Sequence, residues 1–250
     1  MSVAPTSSQA QVARDLREVV RVLRDNSALA RALADPAASA DNEYRLIDNV
    51  FAPISPEAKQ IIKQVVGRSW ESTAQFMAWA EDTAVSQAWQ WAKAEGVLLR
   101  CIDEVFEFGQ MVARDHTVRA AITDRRVPVE RRQELVHDLL APTMAEPTIQ
   151  LAMETVASRW GTIDDAVKAS LNAGADLAGA RLAVATVAKA LPDDQKRRLG
   201  DALETRFGTA VIVEQTIDPA VLGGVRIECG ADVIDSTMAS RLEAVRRDFA

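Results

Sequence analysis

The chain has 250 residues, 26% of them charged and 48% hydrophobic, with 29 basic against 36 acidic side chains and a formal net charge of −7. That length allows one large domain or two modest ones with a real core, and the acidic balance argues against general nucleic-acid binding as its task. Cys101 and Cys229 lie far apart in no ligand spacing and read as buried thiols of a reducing compartment.

In chain order, residues 1–10 are rich in Ser, Ala and Pro and read as a loose tail, neither signal peptide nor anchor. Residues 11–178 are helical in pattern, with no convincing strand. Val12, Leu16, Val19 and Leu23 mark a first helix, and Asn26 caps a short second one bearing Leu29 and Leu33. Ser39 caps a third, with Leu46, Ile47, Val50 and Phe51 inward. Pro53 and Pro56 end it, and Ile61, Ile62, Val65 and Val66 continue on a fourth.

The same layout recurs at a single shift of 89 residues. Leu16 then meets Val105, Val19 meets Phe108, Leu23 meets Val112, Leu29 meets Val118 and Leu33 meets Ile122. Leu46-Ile47 falls on Leu135-Val136, Val50-Phe51 on Leu139-Leu140, Pro53 on Pro142, Asp35 on Asp124, and Asn26 on Asp115. One shift that keeps loop lengths and a helix-ending proline indicates an internal repeat. Between the copies, residues 69–96 carry Trp70, Phe76, Trp79, Trp89 and Trp91 on one or two long helices, with Gly96 as C-cap. The second copy closes through Ile149, Leu151, Met153, Val156 and Trp160; Gly161 breaks it, and residues 164–178 form a last helix with Val167 and Leu171 inward.

Gly174 and Gly179 then loosen the chain before a strand over residues 182–187. Pro192, Asp193 and Asp194 start a helix that runs to about Arg206, with Leu199, Leu203 and Phe207 inward, and Gly208 stops it. Residues 210–217 are β-rich. Asp218-Pro219 turns, Gly223-Gly224 reverses the chain, and Val225, Ile227 and Cys229 alternate with Arg226 and Glu228 as a half-buried strand. Gly230-Ala231-Asp232 connects to a return strand at Val233-Ile234. Ser236 caps a final helix with Met238, Leu242, Val245 and Phe249 on one stripe. The expected fold is mainly α: a helical bundle with a duplicated unit (residues 11–88 and 89–178), then a small α+β domain over residues 179–250.

No active site emerges. Gly223-Gly224 has no phosphate-loop context, since a strand follows it. His116 and His137 lack partners at metal-ligand spacing. Asp164-Asp165 and Asp193-Asp194 sit at helix starts, where the backbone dipole favours them, and Ser236 has no nucleophile elbow. Arg125-Arg126, Arg131-Arg132 and Lys196-Arg197-Arg198 read as solvated faces. The most apolar window, residues 177–191, is broken by Arg181 and Lys189 and cannot span a bilayer.

Leu222-Gly223-Gly224-Val225, then Gly230-Ala231-Asp232-Val233-Ile234-Asp235, then Arg241-Leu242 resembles the C-terminal signature of ATP synthase delta subunits. That family's mitochondrial relative is the oligomycin-sensitivity-conferring protein. Ser236 departs from the family's glycine after the aspartate. Trp89-Gln90-Trp91-Ala92-Lys93-Ala94 is similar to the family's opening helix, and the short helix after Asp115, the turn at residues 125–128 and the helix over 134–140 keep the family order. The upstream copy resembles the longer delta subunits of some bacteria.

The resemblance implies a non-catalytic stator subunit in a hetero-oligomeric complex, peripheral on the cytoplasmic side of a bacterial inner (plasma) membrane. It implies a helical domain that holds N-terminal helices of the alpha subunit, and a C-terminal domain that meets the C-terminal ends of the b subunits through the last helix and the hairpin. No cofactor, metal or nucleic acid is implied. Family analogy places the alpha contact between Trp89, Trp91, Ala92 and Lys93 on one wall and Ile149, Ala152, Met153 and Val156 on the other. Two rivals remain at this point: a helical adaptor unrelated to energy conversion, and an enzyme with its site near residues 174–182.

Overall fold

The computed structural model describes residues 8–35, 39–65, 68–158, 161–221 and 223–236. Five helices come first: α1 (Ser8–Asp25), α2 (Ser27–Leu33), α3 (Ala40–Val50), α4 (Pro56–Lys63) and α5 (Thr73–Ala94). Five more follow: α6 (Leu98–Arg114), α7 (His116–Thr123), α8 (Val129–Leu140), α9 (Glu146–Ala157) and α10 (Ile163–Leu177). Each helix of the second set starts 89 or 90 residues after its counterpart in the first. The repeat is therefore one of five helices.

The repeated positions do the same work in both sets. Leu16 and Val105, Val19 and Phe108, Leu23 and Val112, Leu33 and Ile122, Ile47 and Val136, and Phe51 and Leu140 are all buried. Asn26 accepts a hydrogen bond from the Leu29 N–H at 3.1 Å, and Asp115 accepts from Thr117 and Val118 at 2.8 and 3.1 Å. Each side chain satisfies donors that the first turn of a helix leaves unpaired. Val50 and Leu139, expected inward, are both 39% exposed. Burial on α3 follows Glu43, Ile47 and Phe51, a narrow i, i+4, i+8 edge, so position i+3 looks out. Pro53 lies in the turn after α3, whereas Pro56 opens α4 rather than ending α3. Val66 and Trp160 lie outside the described residues.

A pair of buried acids also obeys the repeat. Asp15 on α1 accepts the Ser55 N–H at 2.8 Å, just where α4 begins, and the Gln11 side-chain amide at 2.8 Å. Glu104 on α6 accepts the Ala145 N–H at 2.9 Å, where α9 begins, the Arg100 guanidinium at 2.7 Å and the Thr148 hydroxyl. In both units a carboxylate on the first helix fastens the start of the fourth, and a residue one turn earlier orients it.

One helix serves both units. The N-terminal part of α5 gives Phe76, Ala80 and Ala84 to the core built on α1–α4. Its C-terminal part gives Ala88, Trp89 and Ala92 to the core of α6–α10. The division expected between residues 88 and 89 thus falls inside an unbroken helix. Gly96, at φ 71°, turns the chain out of it. Gly174 does not loosen the chain as expected but lies within α10, where a Cβ would come 2.8 Å from the Trp89 ring. Gly179, at φ 71°, makes the break.

The C-terminal elements are β1 (Ala180–Val187), α11 (Asp193–Phe207), β2 (Ala210–Ile217), β3 (Val225–Cys229) and β4 (Asp232–Asp235). They form a sheet in the order β2-β1-β3-β4, with β1 and β2 parallel and the other pairs antiparallel. A parallel pair needs a crossover, and α11 supplies it. One sheet face (Ala183, Ala185, Val213, Ile227, Cys229) packs under Leu199, Leu203 and Phe207 of α11. The other sends Leu182, Val184 and Ile212 into the core of the second helical unit. The final helix expected after Ser236 lies outside the described residues.

Candidate partner-binding surface

Seven of the residues assigned to the two walls are buried: Trp89, Trp91 and Ala92 on α5, and Ile149, Ala152, Met153 and Val156 on α9. Lys93 is exposed, its Nζ 3.5 Å from the Leu177 carbonyl. They do not line one groove. Trp89, Ala92 and the four α9 residues belong to the core of the second unit, while Trp91 points the other way, against Ala10 and Ala13 of α1. Positions 89 and 91 on a helix are about 200° apart, so the two tryptophans cannot share a face.

What lies along α5 and α9 is α1. The Arg14 guanidinium sits 5.1 Å over the Trp91 ring, and Arg24 bonds Glu81 at 2.9 Å, so α1 runs antiparallel to α5. Gln150 donates to the Ala13 carbonyl at 2.8 Å, and Arg17 stands 3.8 Å from Glu154, so α1 runs alongside α9 in the same direction. The surface of α5 and α9 that grips a helix is thus Trp91, Gln150, Glu154 and Glu81. The sequence carried a signal for the α9 pair: Gln150 and Glu154 are polar residues four apart among Ile149, Leu151, Ala152, Met153 and Val156, and both are buried.

Charge is concentrated in this seam. Burial pushes the Glu154 carboxyl up to about 7, against the opposing pull of Arg24 and Arg17. A cavity of about 230 Å³ beside it is lined by Arg14, Arg17, Arg21, Arg24, Glu130 and Glu154. Elsewhere, Asp164 is held below the usual carboxylate range by a two-point bond to Arg119, at 2.8 and 2.9 Å. His116 and His137 are exposed. Cys101 and Cys229 are free and buried, and burial raises both thiols. A cavity of about 290 Å³ near the helix–sheet junction is lined mainly by apolar groups, including Phe106, Val167, Leu171, Leu182 and Val184. Among the described residues no group of three or more His, Cys, Asp or Glu side chains is placed to hold a metal, and no helix is long and apolar enough to cross a membrane.

The residues of the C-terminal signature that are described build the turns of the sheet. Gly223 and Gly224, at φ 74° and 83°, and Gly230, at φ 63°, occupy backbone conformations that side chains disfavour. Asp232 accepts from Arg181 of β1 at 3.0 Å, Asp235 stands opposite Arg226 in the ladder, and Ile234 packs on the α11 side. Ser236 donates through its hydroxyl to the Val225 carbonyl at 3.0 Å, tying down the end of the hairpin. Leu222, Arg241 and Leu242 lie outside the described residues.

The family model described as "ATP synthase delta (OSCP) subunit" matches residues 87–249, from the C-terminal part of α5 onward. A protein of Streptomyces avermitilis named ATP synthase subunit delta is 34% identical over 96% of this chain and 89% of its own length. Proteins of the same name from Cutibacterium acnes and Beutenbergia cavernae are 31% and 34% identical, covering 96% and 95% of this chain and 91% and 90% of their own. These matches take in α1–α4 as well.

Proposed function

Since the chain belongs to the ATP synthase delta (OSCP) subunit family, part of the peripheral stalk of F-type ATP synthases, we propose that it is a non-catalytic tie that joins the catalytic head to the stalk and resists the rotor's torque. The helical units hold N-terminal helices of the alpha subunit, and the C-terminal domain meets the C-terminal ends of the b subunits. The chain sits at the cytoplasmic side of the bacterial inner membrane, attached through these partners.

The observation that carries the reading is that α5 and α9 already hold a helix lengthwise, through Trp91, Gln150 and Glu154. A stator needs such helix-in-groove contacts and no chemistry of its own. We place the alpha contact along the outer edge of this seam, at the exposed Lys93, with Trp91 packed under α1 and Trp89, Ala92, Ile149, Ala152, Met153 and Val156 buried behind it as the wall that supports the edge. The adaptor and enzyme readings leave the family match without an explanation.

The test is binding of a peptide copying the alpha subunit's N-terminus to the full chain, with Trp91→Ala and Gln150→Ala beside the parent and circular dichroism to confirm folding. Binding that weakens at least ~tenfold in Trp91→Ala, about 1.4 kcal/mol, supports this face. Equal binding by all three folded proteins would move the contact elsewhere.

A further inference from the structure

The joint between the second helical unit and the sheet contains a group that neither core nor stalk contacts explain. Glu214 lies in the middle of β2, on the sheet face turned away from α11, and is only 6% exposed. One of its carboxylate oxygens has no hydrogen-bond partner. Its nearest cation, Lys196 of α11, stays 4.0 Å away, too far for a hydrogen bond. Facing it from α6 is Asp103, within side-chain hydrogen-bonding reach, with Glu107 close by. These groups, with Gln110 and Arg114 of α6 and Gln215 of β2, line a cavity of about 560 Å³. The neighbouring strand contributes only the apolar Val184, in register with Glu214. The neutral tie across the same joint is Gln110 Nε2 donating to the Thr216 hydroxyl at 3.1 Å.

Two carboxylates cannot hydrogen-bond to each other unless one keeps a proton. We propose that Glu214 and Asp103 form a proton-sharing latch that fixes the C-terminal sheet against α6, and that loss of the shared proton loosens this joint. Burial, reinforced by Asp103 and Glu107 and opposed by Lys196, raises the Glu214 carboxyl from 4.5 to about 8. An undocked sheet would return Glu214 to water and its ordinary value. Docking therefore holds the proton that the undocked state releases. Its strength is full below about 4.5, falls by up to ~tenfold per pH unit up to about 8, and is flat above that. The joint lies within one chain, so the latch needs no stalk partner.

Spin labels on Ala120→Cys of α7 and Asp201→Cys of α11, both exposed sites, would report the distance across the joint in the full chain. The native cysteines stay in place because both are buried. Near pH 5.5 a single narrow distance distribution is expected. Near pH 9 the parent should gain a second, broader population, while Glu214→Gln stays narrow. Asp103→Asn, on the exposed side of the pair, should also stay narrow, because its amide donates to ionised Glu214; it decides the matter if the buried substitution fails to fold. A parent distribution unchanged between the two pH values would overturn the latch. So would the same broadening in the folded variants.

Discussion

Single buried carboxylates set much of the behaviour of this chain. Glu104→Ala should lower the unfolding free energy by about 1–3 kcal/mol, because the Ala145 N–H and the Thr148 hydroxyl lose their acceptor; chemical denaturation would read it. Asp15→Ala should act alike in the first unit by unpairing the Ser55 N–H. Glu154 gives a pH signature. Its carboxyl is raised from 4.5 to about 7, so the folded chain holds a proton that the unfolded chain has already released. Stability contributed here falls as pH rises from about 4.5 to 7 and is level above. Glu154→Gln should remove that fall and be more stable than the parent near pH 8, by on the order of 3 kcal/mol; a parallel pH dependence of both proteins would refute it. These roles were only partly legible in the sequence. The shift that aligns Leu16 with Val105 also aligns Asp15 with Glu104 and Gln11 with Arg100. Matching apolar positions alone passed over them, since an acid at a helical position looks solvated until the fourth helix is seen to start against it.

Among the elements, α5 decides how the two units behave together. Patterning located nearly every helix and strand, because caps, stripes and glycine stops agree with one another at each end. It could not show that the tryptophan-rich stretch is one helix with two cores, since neither half of α5 breaks the period. It also could not show that α1 lies against α9, a contact 137 residues apart in sequence. With Phe76 and Trp89 on the same helix in different cores, the helical part should unfold as one unit. Tryptophan fluorescence and far-ultraviolet ellipticity should trace coincident denaturant transitions. Two separated transitions would show that α5 does not couple the units. Ala13→Glu would test the α1 seam itself: Ala13 is fully buried against Trp91, and a carboxylate there should shift the transition by about 2–4 kcal/mol.

For the molecule as a whole, the family match gives the chain its setting in the peripheral stalk. The C-terminal signature could be read because glycines with positive φ and a paired aspartate leave fixed marks in a sequence. The partner-contact residues left no such marks: an apolar helix face looks the same whether it meets a partner or its own chain, and here most of them face their own chain. The central claim is that the chain works as a passive mechanical tie. It is tested most directly in cells deprived of this protein, by measuring how much of the synthase head stays on isolated membranes and whether its ATP hydrolysis still drives proton uptake. The account predicts that the head is lost or uncoupled and that added protein restores both. A head that stays attached and fully coupled without it would contradict the account.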